Sequence, residues 1–489
     1  MRVLFVASEV FPLVKTGGLA DVVAALPPAL AQLGVDVRVL VPGYPKVMQG
    51  LESTGREVRL GGLLAGSRPI SARLLYGRVG NLQLLVLDAP HLYDRPGNPY
   101  TGPDGRDWHD SHLRFGALCD AAAWLAGPEG GDRWRPDVIH GHDWQSGLAA
   151  AYVALQFPSH GPRPGTVLTV HNLAYQGVFS KEVLPELRLP WSMFGVRGLE
   201  FHGHLGFLKA GLYYSDKITT VSPTYARQIQ TESYGHGLHG LLQSRDEDLH
   251  GILNGIDTGL WNPATDRYLA AHYDVNDPFA GKRINKLAAQ RAFGLQQDPD
   301  VPLFCVVSRL IGMKGLDLLI SAGTTLLRRG AQLAVLGSGE RAIEQGFDMA
   351  AAHWPGRVAV RHGYDEPLAH LVQAGADAIV VPSRTEPCGL TQMYGLRYGT
   401  IPVVRRTGGL ADSVVDASAH NLAHERATGV VFNDIDADAL SWALGRTIDL
   451  YHHKPLWNSM VVRAMQQDFS WRNSALRYAA LYRSVARGG

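Results

Sequence analysis

Short runs of Val, Ile and Leu recur along this chain, each leading into Gly, Ser, Asn or His and then into a stretch with helical spacing. In the first half the runs are Val3 to Ala7, Val37 to Val41, Leu82 to Leu87, Val138 to His140, Thr166 to Val170 and Ile218 to Val221. The second half repeats the rhythm at Leu303 to Val307, Leu333 to Leu336, Val358 to Val360, Ala378 to Val381, Pro402 to Val404 and Gly429 to Phe432. Largely apolar runs predict strands buried on both faces, and so parallel sheets covered by helices. The expected fold class is α/β, with two doubly wound parallel-sheet domains. Turn residues at Leu253-Asn254-Gly255-Ile256-Asp257 mark the expected join, and the tail from Pro455 reads as helix.

A length of 489 residues calls for two or three domains. Lys and Arg number 46 against 45 Asp and Glu, so the chain carries no charge footprint for nucleic acid or an anionic membrane. A neutral macromolecule such as a polysaccharide suits that surface. The three cysteines, Cys119, Cys305 and Cys388, follow neither a disulfide nor a zinc pattern, which points to a reducing, cytoplasmic setting. Glu9 and Pro12 interrupt the short apolar run at the N-terminus, so it reads as a buried strand rather than a signal peptide.

The hexapeptide Thr-Gly-Gly-Leu-Ala-Asp occurs twice, as Thr16 to Asp21 and Thr407 to Asp412, each time after a strand and opening a helix. Paired glycines there let backbone N–H groups approach an anion, although a tight turn without a ligand fits as well. Lys15, just before the first copy, adds a cation where a phosphate would sit. Neither copy is a dinucleotide fingerprint or a Walker A loop, which argues against a dehydrogenase or a P-loop NTPase.

Three further clusters follow strands. Arg309 and Lys314 flank the turn after Leu303 to Val307, and two cations at a sheet's carboxyl edge make a diphosphate clamp. The alternative is a pair of solvated surface cations. Glu386, in Pro382-Ser383-Arg384-Thr385-Glu386-Pro387-Cys388-Gly389-Leu390, is placed either to grip sugar hydroxyls or to cap a helix. His140-Gly141-His142-Asp143-Trp144 offers a partial metal ligand set, but no further ligand spacing supports it. Asp143 and Trp144 could instead hold a sugar by hydrogen bonding and stacking, with His140 a core histidine bonded to backbone.

Together these segments resemble the bacterial glycogen synthases and plant starch synthases. The motifs that carry the likeness are Lys15 to Asp21, His142-Asp143-Trp144, Asn254 to Asp257, Lys314-Gly315 and Glu386 to Gln392. Pro90 to Arg95, Phe207 to Gly211 and Ser222 to Ala226 add to it, and the matches run in order from residue 1 to about Trp471.

The resemblance implies a GT-B fold, two Rossmann-like domains facing across a cleft that closes by a hinge. Its domains would be an acceptor-side domain over 1–250, a nucleotide-sugar domain over 251–455, and a terminal helix over 456–489 crossing back to the first. It implies transfer of glucose from ADP-glucose to the non-reducing end of an α-1,4-glucan such as glycogen or a maltooligosaccharide. Configuration would be retained, with no cofactor and no metal. Arg309 and Lys314 would hold the donor diphosphate, and Lys15, Gly18 and Asp21 would close on it. Glu386 would bind glucosyl hydroxyls and His171 would lie beside the anomeric carbon. Tyr100, Asp143, Asn172, Asn254, the run Cys388, Gly389, Leu390 and Thr391, and the second hexapeptide's Thr407, Gly408 and Gly409 complete the substrate-binding set.

One stretch departs from the family's usual pattern. Leu310-Ile311-Gly312-Met313 replaces a polar and aromatic stretch while leaving the spacing of the two cations unchanged. Tyr394 stands eight residues after Glu386, where many retaining enzymes of this fold have a second Glu, and this agrees with the resembled family rather than with the wider group. Two other functions remain compatible with the residues. One is a retaining transferase using UDP-glucose or another acceptor, and the other is a catalytically silent glucan-binding protein.

Overall fold

The computed structural model describes residues 1–64, 70–128, 130, 134–157 and 162–486. It divides into two units, Met1–Gly255 with Trp471–Gly489, and Ile256–Ser470.

The first unit is built on nine strands: β1 (Arg2–Val6), β2 (Asp36–Pro42), β3 (Glu52–Leu63), β4 (Ile70–Val79), β5 (Leu82–Asp88), β6 (Val138–His142), β7 (Gly165–Val170) and two more further along. A small separate sheet intervenes, from β8 (Val178–Phe179), β9 (Glu200–Phe201) and β10 (His204–Gly206). The main sheet then gains β11 (Lys217–Thr220) and β12 (Leu249–Gly251). Its order is β12-β11-β7-β6-β1-β2-β5-β4-β3, parallel from β12 to β5.

The sheet is parallel as expected except at one edge, where β3 and β4 extend it as an antiparallel hairpin. Most of β3 is exposed, and β4 alternates buried Ala72, Leu74 and Tyr76 with more exposed neighbours. That is the pattern of a sheet with one wet face, and an apolar run is not needed there.

The second unit contains β13 (Leu303–Val307), β14 (Gln332–Gly337), β15 (Val358–His362), β16 (Ala378–Val381), β17 (Ile401–Arg405) and β18 (Val430–Phe432). All pair in parallel in the order β15-β14-β13-β16-β17-β18. This is the doubly wound Rossmann order, in which successive strands build outward from β13 on one side and then from β16 on the other. In the first unit the same reversal occurs between β1 and β6. Ligands of such sheets bind at the carboxyl ends of the strands flanking the reversal. The loops after β1, β6, β13 and β16 are therefore the places where each unit can build a site.

The return to the first unit falls at Ser470–Trp471, not at residue 456. Helix Lys454–Met465 buries Trp457, Met460, Val461, Ala464 and Met465, and packs on β17 and on helix Thr391–Arg397 of the second unit. Only the last helix, Trp471–Val485, joins the first unit, where it lies on helix Gly18–Ala31 and β7. The outgoing and returning segments run side by side, with Ile256 paired to Ser470 and its N–H donating to the Phe469 carbonyl at 2.8 Å.

Candidate functional site

In the second unit the turn after β13 and the loop after β16 meet at the sheet reversal. Lys314 Nζ lies 2.6 Å from Glu386 Oε2, and Ser383 Oγ donates to the same oxygen at 2.9 Å. The Lys314 turn is shaped by Gly315, whose φ is +66° and whose added Cβ would stand 2.1 Å from the Pro382 carbonyl oxygen. Glycine there lets the two loops touch. Arg384 ties them further: its backbone N–H donates to the Met313 carbonyl at 2.9 Å. Its guanidinium donates to the Gly312 carbonyl at 2.6 Å and to both Asp317 oxygens at 2.6 and 2.7 Å. That fork holds the Asp317 carboxyl below its usual pKa. Ile311-Gly312-Met313 thus forms a braced turn, with Gly312–Lys314 as a single 3₁₀ turn. Arg309 is exposed, and its guanidinium has no hydrogen-bond or ion-pair partner among the described residues.

The second hexapeptide lies behind this loop. Gly409 N–H donates to the carbonyls of Glu386 and Pro387, each at 3.1 Å. An added Cβ on Gly408, which has φ +43°, would stand 1.9 Å from the Glu386 carbonyl oxygen, and one on Gly409 would stand 2.1 Å from that of Cys388. These glycines permit close backbone packing against the Glu386 segment, and Thr407 is fully buried beside them. Arg405 braces the same loop from below, donating to the Ser383 carbonyl at 2.8 Å. Past Gly389, at φ +72°, Gln392 donates to the carbonyls of Cys388 and Gly389 at 3.1 and 2.9 Å. Cys388 is buried, Leu390 and Thr391 are half-buried, and Thr391 starts the helix Thr391–Arg397. Tyr394 on that helix stacks on Trp261 with ring centroids 3.7 Å apart.

In the first unit the loop after β1 is organised by a residue that sequence reasoning treated only as an interruption. Glu9 is 3% exposed. Its carboxylate accepts from Thr16 N–H and Thr16 Oγ1, both at 2.5 Å, from Gly17 N–H at 3.3 Å, and from the Tyr100 hydroxyl. The Tyr100 hydroxyl also lies 3.0 Å from Ser8 Oγ. A buried acid in an apolar strand end was the available signal, since such groups are kept only where they are paired. Lys15 and Asp21, both assigned to substrate, form an ion pair with each other at 2.9 Å. Gly18 begins the helix Gly18–Ala31.

The loops after β6 and β7 share one anchor. Asp143, at the unusual φ of +57°, accepts from the backbone N–H groups of His171 at 2.7 Å and Asn172 at 3.3 Å. Burial pushes its carboxyl up to about 7, against the pull of those two N–H groups. Asn172 Oδ1 accepts from Ala174 N–H at 3.0 Å. Trp144 is half-buried. It packs edge-on to Phe115 at 5.0 Å and Phe207 at 6.1 Å, and Gly177 sits against its ring. His140 is held by hydroxyls rather than backbone, those of Tyr482 at 2.8 Å and Thr169 at 2.6 Å. Both its nitrogens are thereby occupied. Among the described residues no group of three or more His, Cys, Asp or Glu is gathered in metal-binding geometry. Asn254 is 6% exposed, at the end of the first unit.

Residues 2–244 match the family described as the starch synthase catalytic domain, and residues 290–456 match glycosyl transferases group 1. A glycogen synthase of Rhodopseudomonas palustris is 52% identical over 482 residues, covering 99% of this chain and 97% of the relative. One from Roseobacter denitrificans is 50% identical over 488 residues, covering 100% of each. The catalytic domain of starch synthase IV from Arabidopsis thaliana, solved with ADP and acarbose, is 32% identical, with a TM-score of 0.89 over 99% of both chains. A sucrose-phosphate synthase of Thermosynechococcus elongatus, 18% identical with a TM-score of 0.60, shares the fold. The two doubly wound units are those of the GT-B class, and the chain belongs to the glycogen and starch synthase family of glycosyltransferases.

Proposed function

We propose that this enzyme transfers glucose from ADP-glucose to the non-reducing end of an α-1,4-glucan, with retention of configuration and without a metal. The observation that carries the reading is the Lys314–Glu386 contact at the reversal of the second sheet, with the exposed Arg309 on the same turn. Transfer leaves a nucleoside diphosphate, so negative charge grows on the phosphate oxygens as the glycosidic bond breaks. Arg309 and Lys314 stabilise that charge as fixed cations, which are worth more in an enclosed site than in water. When a diphosphate engages Lys314, Glu386 keeps its bond from Ser383 and turns its charge to the sugar hydroxyls and the developing oxocarbenium ion.

In the first unit His171 and Asn172 orient the sugar from backbone held by Asp143. Tyr100, Lys15, Gly18 and Asp21 belong to one loop system anchored on Glu9, and that system binds the donor. Asn254, with a buried Oδ1 that has no partner among the described residues, offers an acceptor to a sugar hydroxyl. Cys388 to Thr391 and Thr407 to Gly409 shape the donor side, the glycines by letting backbone segments meet. The three cysteines are buried and none is joined in a disulfide, which suits a cytoplasmic enzyme. Among the described residues no helix is long and apolar enough to cross a membrane.

The test is a donor comparison with glycogen as acceptor and diphosphate release as readout. Turnover is expected with ADP-glucose well above UDP-glucose and unchanged by a chelator. Preference for UDP-glucose would overturn the donor assignment, and maltooligosaccharide binding without any diphosphate release would mark a glucan-binding protein instead.

A further inference from the structure

Behind His171 lies a second imidazole that the reading above leaves without a role. His142, at the end of β6, is fully buried. Its Nδ1 lies 3.0 Å from His171 Nε2. Its ring is fixed from both sides, by Phe5 at 4.8 Å and by His140 at 4.2 Å. His140 is itself held by Tyr482 and Thr169, so the stack has little freedom to turn.

One hydrogen lies between the two facing nitrogens, and the remaining atoms decide which ring supplies it. His142 Nε2 is buried and has no hydrogen-bond partner among the described residues. If His171 were the donor, His142 would have to carry its own hydrogen on Nε2, as a buried N–H with nothing to accept it. Unpaired buried N–H groups are avoided more strictly than unpaired acceptors. The favoured arrangement puts the hydrogen of His142 on Nδ1 and leaves Nε2 as a bare acceptor. His171 Nε2 then accepts, and the hydrogen of His171 must be on Nδ1. Burial keeps both rings neutral, holding His171 down to about 3 and His142 well below its ordinary value.

We propose that His142 is a positioning residue: by donating Nδ1–H to His171 Nε2 it locks His171 as an Nδ1–H donor toward an oxygen of the transferred sugar. His171 in this state recognises a hydroxyl or ring oxygen, and its Nε2 is unavailable as a base. The role toward sugar rests on the transferase reading, whereas the tautomer does not.

The experiment uses full-length protein with 15N-labelled histidine and a long-range 1H–15N correlation spectrum, with His171 assigned by its loss in His171→Gln. The native spectrum is expected to show His171 as the neutral Nδ1–H tautomer. His142→Asn places an amide N–H where Nδ1–H stood and should preserve that pattern. His142→Leu should release His171 into a mixture containing Nε2–H. Turnover should fall about tenfold to a hundredfold in His142→Leu, the scale of a misplaced reacting group, and recover most of the way in His142→Asn. An Nε2–H tautomer in the native protein would overturn the proposal, as would equal turnover losses in the Asn and Leu variants with native thermal stability. If His142→Leu does not fold, the native spectrum decides alone. If no donor sugar is turned over by the native protein, the transferase reading fails while the tautomer result stands.

Discussion

Lys314 and Glu386, 72 residues apart in sequence, meet at 2.6 Å within a single unit, each partly shielded from water. The cation assigned to phosphate and the carboxylate assigned to sugar are thus held against each other. On the proposed reading, a diphosphate would compete with Glu386 for the same ammonium.

Removing either partner should cost both activity and stability. Lys314→Ala and Glu386→Ala are expected to lower turnover by about two orders of magnitude or more. Each should also destabilise the fold by about 1–3 kcal/mol, because the survivor loses its charged hydrogen bond. Denaturant unfolding of the double variant should show less than the sum of the single losses. Near-normal turnover in both single variants would remove these residues from the mechanism.

Arg384 should behave as a brace for the Lys314 turn. Its planar fork holds Asp317 through two bonds and also reaches the Gly312 carbonyl, which a lysine cannot imitate. Arg384→Lys is expected to raise KM for the nucleotide sugar about tenfold, nearly as much as Arg384→Ala. A lysine variant with native KM would show that charge alone suffices.

Glu9 should matter more than its lack of any assigned ligand suggests. Glu9→Gln keeps the shape of the side chain but loses the charge that attracts Thr16, Gly17 and Tyr100. A stability loss of about 1–3 kcal/mol and a raised donor KM are expected. Tyr100→Phe removes one of these bonds and should lose less on both measures.

The buried histidines set an acid limit. In the folded chain burial draws His140 down to about 3 and His142 well below its ordinary value, whereas the unfolded chain protonates both near 6.5. Below about pH 6.5 the unfolded state binds more protons, so stability falls as pH drops, by about 1.4 kcal/mol per pH unit for each histidine. Asp143 works in the opposite sense. Its folded pKa of about 7 lets the native state hold a proton that the unfolded chain releases above about pH 4, so its share of stability is lost as pH rises toward 7. His140→Gln should flatten the acid slope and Asp143→Asn should steepen it, as read by denaturant midpoints between pH 5 and 7.

Gly408 offers a check on packing. Gly408→Ala forces a side chain into a left-handed position with its Cβ 1.9 Å from the Glu386 carbonyl oxygen. The loop must shift, and activity should fall together with stability by about 1–3 kcal/mol. An alanine variant with native turnover would mean that the Glu386 segment tolerates displacement.

The sequence by itself determined the twelve apolar runs, their helices and the clusters that follow them. A strand buried on both faces needs a continuous apolar run, and the residues that end it are its immediate neighbours. Motif likeness added roles for Glu386, Arg309, Lys314 and His171. It did not find the β3–β4 hairpin, whose signal is alternation, nor the helix Lys454–Met465 as part of the second unit. Tertiary structure alone decided what Glu9 holds, since its bond to Tyr100 spans 91 positions. It also decided that Trp144 packs edge-on to Phe115 and Phe207, and that Gly408 and Gly409 seat the Glu386 segment. Each of these depends on which strands lie side by side at the two reversals. Local hydrophobic pattern states that a strand is buried but not who its neighbour is, and the neighbours are what bring these groups into contact.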